Sequence, residues 1–300
     1  MAIMENGEKR CSRTRIGALA AVIVFAGLAA QAADAQIPNF SPDRFTNWRP
    51  DREDGDNFLP PRNGPGPVVS PPDYPYVPNG EGDDAAGNPT YRVADLSNPI
   101  LTPWSIEQMT VWNDLVLEGG IPFEAQERCY PPGVPAWNIF RRVGGTMTYF
   151  VQTPEKVLMI WRGDNQVRRV YLNVPHSQNP KPTWHGESVG HYEGNTLVVD
   201  TIAMLVHPVN FIDHYRTPRS DQTHVVERFT MVDDDTIEVS INVEDPIAFT
   251  MPWNALQILH RSNTGRAIEE SVCAELGLSP GANYFGLQPV EIPTAATPDF

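Results

Sequence analysis

Between Thr236 and Val243, Ile237, Val239, Ile241 and Val243 alternate with polar residues, the two-residue period of a strand with one wet face. The same reading predicts strands in MTYFVQ, KVLMIWR, VRRVYL, ESVGHYE, NTLVVDTIAM, HVVERFTMV, TIEVSINVED, WNALQILHRS and IEESVCAE, all after residue 146. Gly163-Asp164-Asn165, Glu193-Gly194-Asn195 and Asp233-Asp234-Asp235 carry the turn chemistry of short hairpins. Some nine strands in hairpin succession, with no long helix between them, predict a mainly β chain: an antiparallel meander closed into a barrel or curled sheet. Ahead of them, Thr102-Pro103 reads as a helix start, a capping hydroxyl followed by proline. Met109, Trp112, Leu115 and Val116 then recur at helical spacing until Gly119-Gly120, predicting one amphipathic helix.

The pattern is different at the N-terminus. Lys9, Arg10, Arg13 and Arg15 precede an uncharged run from Ile16 to Ala30 and an Ala33-Asp34-Ala35 cleavage signal, the layout of a secretory signal peptide. The run is 15 residues long, short of the ~20 that a spanning helix needs. A chain cleaved near Ala35 is expected in the periplasm or outside the cell. From Gln36 to Pro103 lie 14 of the 30 prolines, which remove ladder donors and predict an extended or disordered arm without regular sheet. Its aromatics, Phe45, Trp48, Phe58, Tyr74 and Tyr76, are expected on the domain surface. The predicted organisation is a signal peptide over 1–35, a Pro-rich arm over 36–100, a β-barrel domain with its N-terminal helix over 101–285, and a tail over 286–300.

Charge narrows the partners. The chain carries 22 Lys and Arg against 37 Asp and Glu, and loss of the leader, with four basic and three acidic residues, leaves a net charge of −16. Nucleic acid and anionic membrane surfaces need clustered basic charge, so neither is expected as a partner. Cys11 leaves with the leader, and Cys129 and Cys273 remain. In an oxidising compartment an even pair reads as one disulfide, with two separate buried thiols as the alternative. There is no phosphate loop, nucleotide fingerprint or haem-attachment motif, so no organic cofactor is expected.

The stretch from Trp184 to Thr201, WHGESVGHYEGNTLVVDT, reads as strand, turn, strand. Gly186 and Gly190 mark bends or close backbone approach. Thr196, Val198 and Asp200 share one side of the second strand; a carboxylate buried after LVV needs a hydrogen-bonding partner. PTWHGESVGHYEGNTLVVDT, with CYPPGVP and VRRVYLN before it and SDQTHVVERFTMVDDDTIEVSINVEDPIAFTMPW after it, resembles the motif string of a large family of exported bacterial proteins. The likeness runs from about Leu101 to Glu275. It implies a β-rich, lipocalin-like domain and export; it implies no reaction. Tyr192 and Asn195 depart from the usual pattern, which leaves Asp200 in place.

All seven histidines, His176, His185, His191, His207, His214, His224 and His260, fall in the β-rich region. None has a recognised metalloenzyme spacing, and no metal site is expected: in HVVE a strand points His224 and Glu227 to opposite faces. His224, Val226 and Arg228 share a face. If that face lines the barrel, Asp200, Tyr171 and Arg168 or Arg169 are possible partners across strands. The loop DHYRTPRSDQ adds His214 and Ser220, residues of the kind that contact ligands from a rigid scaffold. Adjacent arginines such as Arg168-Arg169 are expected to split, one inside and one out. GESVG is not a nucleophile elbow, so Ser188 is read as structural. The candidate catalytic residues are therefore His224, Asp200, His214 and Tyr171. The candidate ligand contacts are Arg228, Arg169, Trp184, Trp253 and Ser220. Together they predict a barrel that binds a small apolar or aromatic molecule and transforms it by cofactor-independent acid–base chemistry, as an isomerase or lyase does. The alternatives are a non-catalytic carrier or sensor, and an interaction module that docks a partner on the Pro-rich arm.

Overall fold

Eight of the predicted strands form, and burial alternates most regularly along those over Lys156–Trp161, Gln166–Leu172, His224–Asp233 and Thr236–Glu244. A computed structural model describes residues 37–50, 58–75, 92–120, 122, 125, 130–139, 147–162 and 166–263. The leader, Tyr76, Gly163–Asn165, both mature cysteines, the predicted strand IEESVCAE and the tail lie outside the described residues. The strands are β1 (Thr46–Pro50), β2 (Thr148–Gln152), β3 (Lys156–Trp161), β4 (Gln166–Leu172), β5 (Glu187–Glu193), β6 (Thr196–Ile202), β7 (His224–Asp233), β8 (Thr236–Glu244) and β9 (Trp253–Asn263). They close into one barrel in sequence order, β9 returning to β1.

β1 corrects the reading of the arm as free of sheet. Asp43 to Arg49 is a proline-free window between Pro42 and Pro50, long enough to pair with β9 from Thr46↔Asn263 to Pro50↔Leu259. Nor do all its aromatics lie on the surface. Trp48 is fully buried and Phe58 nearly so, while Tyr74 is exposed.

An odd number of strands cannot alternate direction all the way round a closed ring, so at least one seam must be parallel. That seam is β4–β5, paired only at Val170↔Ser188, Tyr171↔Val189 and Leu172↔Gly190; the other seams are antiparallel. A parallel neighbour requires a crossover of a dozen or more residues. Asn173–Gly186 supplies 14. The crossover ends beside the residues that follow β6, where Thr183 N–H donates to Ala203 O and Leu205 N–H to Thr183 O. Close packing at the seam explains Gly190: a Cβ there would lie 2.5 Å from Val198 O and 2.9 Å from Val170 Cγ1.

The inward set is Val157, Met159 and Trp161 on β3, Val170 and Leu172 on β4, Leu197 and Val199 on β6, Val225 and Phe229 on β7, and Ile237 to Val243 at every second residue on β8. The interior also holds Arg168 and Glu227, both 1 % exposed, joined at 2.5 Å. Thus β7 shows its His224–Val226–Arg228 face to the outside, opposite to the conditional expectation that this face lines the interior. The inner positions go to Val225, Glu227 and Phe229 because their large apolar members bury more area.

The single α-helix among the described residues, α1 (Pro103–Leu117), starts at the predicted Thr102-Pro103, but of the predicted stripe only Met109 is buried, with Trp112, Leu115 and Val116 half-buried. Thr102 Oγ1 caps it by accepting from Ser105 N–H at 3.3 Å. Its buried stripe is Ser105, Met109 and Asn113, and Asn113 fixes both the N–H and the C=O of Ala94 at 2.9 Å. No helix among the described residues is long and apolar enough to cross a membrane.

Candidate functional site

The short pairing of β4 with β5 leaves the first half of β4 without a partner on that side, and a depression of 470 Å3 opens there. Outward residues Val167, Arg169 and Tyr171 of β4 form one wall, and Lys181, Thr183, Trp184 and His185 of the crossover form the other. Glu187, at the start of β5, stands at its edge. Trp184 is braced from behind by Tyr130, stacked at 5.0 Å and 17°, and by His207 at 5.2 Å. Gly186 turns the chain into β5 at φ +67 in a space where a Cβ would meet Ile202 O at 2.5 Å.

From Glu187 a chain of carboxylates and imidazoles runs across the outer wall. Glu187 Oε1 lies 3.0 Å from His176 Nδ1, and His176 Nε2 lies 3.0 Å from Asp200 Oδ1. The same Asp200 oxygen is 2.8 Å from His224 Nε2. His224 Nδ1 faces Glu244 Oε2 at 4.0 Å, too long for a direct hydrogen bond. Three strands and the crossover each contribute: Glu187, Asp200 and His224 occupy outward positions of β5, β6 and β7, while His176 reaches over from the crossover. Asp200 thus has the partners its sequence context demands, on a half-exposed outer surface.

The hydrogen bond from His224 is the main influence holding the Asp200 carboxyl below its ordinary value, with burial opposing and the His176 bond assisting. The same bond raises His224 above the ordinary 6.5, partly offset by burial. Glu187 is lowered chiefly by the Ser177 hydroxyl, which donates at 2.7 Å. Signs fix the pH dependence. Asp200 contributes stability above its unfolded value of 3.8 that fades as pH falls through the lower folded value; His224 contributes below 6.5 and loses it as pH rises through the higher folded value. The difference in unfolding free energy between the native chain and Asp200→Asn should therefore peak between 3.8 and 6.5. Both groups are partly exposed, so the peak should be at most about 1 kcal/mol. Urea titrations across that range test it; a pH-independent difference defeats the assignment.

Arg169, Tyr171 and Trp184 thus border one depression, and Asp200 and His224 form the dyad connected to it through His176 and Glu187. The other candidates lie elsewhere. Arg228 pairs with Glu193 at 2.6 Å on the exposed outer wall. Trp253 is fully buried, 5.6 Å from Phe249 and 6.2 Å from Phe58, so it is core. His214 Nε2 lies 3.2 Å from Ile139 O. Ser220 donates from both N–H and Oγ to Asp245, at 2.7 and 2.8 Å. The DHYRTPRS loop is largely buried, not an exposed ligand arm. Asp213 organises it by accepting from Tyr215 N–H, Thr217 N–H and Thr217 Oγ1, and burial pushes that carboxyl up. Asp245 anchors Ser220 and Thr223.

Arg168 and Arg169 split as expected, Arg168 inward and Arg169 outward. Ser188 is structural, 3.2 Å from Arg168 Nε and 2.9 Å from Thr201 Oγ1. Sequence reasoning did not single out His176, Glu187, Lys181 or His185 as site residues. The signal available was length: 14 residues between two strands exceed any hairpin loop, and a long ordered connection is where function concentrates. Among the described residues no group of three or more His, Cys, Asp or Glu is arranged to hold a metal ion. Comparison of the chain with family models, with curated proteins and with solved structures gave no match.

Proposed function

We propose that this chain is an exported protein that binds a small aromatic or apolar molecule in the seam depression and transforms it by acid–base chemistry without an organic cofactor. One observation carries the reading: a depression walled by Trp184 and Tyr171 shares Glu187 with the His176–Asp200–His224 chain. A concave apolar wall with a few converging polar groups is the usual form of a small-molecule site. Glu187 is the member of this chain at the edge of the depression and is placed to exchange a proton with the ligand, while His176 and Asp200 link it to His224. In an isomerisation the proton leaves one substrate atom and returns to another. In an elimination it leaves as the C–X electron pair departs with X. The interior does not favour the alternative of a ligand inside the barrel, because Trp48, Trp161, Trp253, Phe229 and the Arg168–Glu227 pair occupy it.

The test starts with the full chain expressed in a Gram-negative host and recovered from the periplasm, where cleavage after Ala35 should leave Gln36 as the first residue. Native mass spectrometry before and after organic extraction should show a retained small molecule, and Trp184→Leu should lose it. Asp200→Asn and His224→Gln should keep binding and lower conversion of that molecule about 10²–10⁴-fold. Retention that is indifferent to Trp184→Leu sinks the site. Binding without product by the native chain leaves the carrier reading in its place.

A further inference from the structure

We infer that the seam depression selects an anion, specifically a small aromatic carboxylate whose ring meets Trp184 and Tyr171 and whose charge meets Arg169 and Lys181. The inference rests on the depression being the binding site. The chain as a whole has a net charge of −15, yet two exposed cations stand on this rim, and neither is ion-paired with an acid among the described residues. The carboxylate at the edge is already engaged: Glu187 accepts from Ser177 N–H and Ser177 Oγ at 2.7 Å and faces His176 at 3.0 Å. Two unpaired cations against one satisfied carboxylate leave the rim one positive charge in excess, which a monoanion balances.

The crossover wall agrees with the rim. His185 Nδ1 is buried with no hydrogen-bond partner among the described residues. Burial, followed by the charges of Arg168, Arg169 and Arg219, pushes the His185 ring down to about 3. It is therefore neutral at physiological pH and adds no charge to the wall it shares with Lys181 and Trp184. Arg168 is neutralised by Glu227, and Arg219 is buried, donates to Phe211 O and feels the opposing charges of Asp245 and Asp213. The unbalanced field is thus that of Arg169 and Lys181. A planar guanidinium meets a carboxylate through two parallel N–H bonds, and the lysine adds a point charge. Aromatic walls select the rest of the molecule by area and shape.

The test compares 2-naphthoate with its neutral isostere 2-naphthamide, titrated by calorimetry into the full mature chain at low and high salt. Naphthoate should bind about tenfold or more tightly than the amide, with the preference shrinking as salt screens the rim. The variant Arg169→Gln with Lys181→Gln should erase the preference by weakening naphthoate to the amide's level; both side chains are exposed, so the fold should tolerate the changes. Equal binding of the two probes, or a preference that survives the double change, overturns the anion inference while the aromatic site stands. Binding of neither probe overturns the site reading and the inference together.

Discussion

Glu227→Ala should lower the unfolding free energy by about 3–5 kcal/mol, and the double change Arg168→Met with Glu227→Leu should recover most of that loss. Both charges sit inside the barrel at 1 % exposure, 2.5 Å apart. Arg168 is held further by Ser188 Oγ at 3.2 Å and Thr201 Oγ1 at 2.8 Å, and lies 5.8 Å over the Trp137 ring. Desolvating each ion costs several kcal/mol, and their mutual attraction roughly returns it, so the pair adds little net stability. Removing one partner keeps the cost of the other. Alanine at 227 strands a buried guanidinium with only Ser188, Thr201 and the Trp137 ring beside it, whereas removing both charges with similar volume removes the cost. Urea unfolding of the single and double variants decides the matter. A loss below about 1 kcal/mol for Glu227→Ala shows that water reaches Arg168 and that the interior is not sealed.

This pair also marks the limit of what the sequence could reveal. Alternation in HVVERF and TIEVSINV fixes which residues share a face, and every such grouping holds in the structure. It does not fix which face is inside. On β7 both faces carry a valine and a charged residue: Val225 with Glu227 on one, Val226 with Arg228 on the other. Phe229 adds apolar area to the first face, but that face also buries Glu227, and the arginine that neutralises it lies 59 residues away on β4. Periodicity is local and cannot contain that partner. Asp200 and His224 were still recognisable, because a carboxylate after LVV and a histidine opening a strand are out of keeping with plain strand grammar. Their closeness follows from adjacent strands β6 and β7.

The seam was less accessible for a topological reason. A hairpin meander predicts antiparallel neighbours throughout, and only the closure of nine strands, β1 included, forces a parallel pair. The predicted set also numbers nine, with IEESVCAE in place of β1, so closure into a ring already calls for a parallel pair; what the alternation does not give is its place, which the 14-residue connection Asn173–Gly186 marks. His176, Lys181, Trp184 and His185 all belong to the segment that the parallel seam requires.

Trp48→Ala should cost about 3–5 kcal/mol, as removal of a large buried aromatic does. The indole is fully buried and its Nε1–H donates to Phe40 O at 2.8 Å, so alanine leaves both a cavity and a buried carbonyl without its donor. Trp48→Phe should keep much of the packing and lose chiefly the hydrogen bond, for about 1–3 kcal/mol. Val69→Ala, in the same proline-rich segment but exposed at 46 %, should stay within about 0.5 kcal/mol. The contrast separates two roles for the arm. If it only drapes over a barrel that is complete without it, all three changes behave alike and deletion through Pro50 leaves the denaturation midpoint in place. If β1 closes the ring, the two Trp48 variants fall in order, and deletion exposes the unpaired edges of β9 and β2, a template for association between chains. Five register pairs with β9 and an indole sealed against the core place the weight on closure, and through closure on the parallel seam where the candidate site is built.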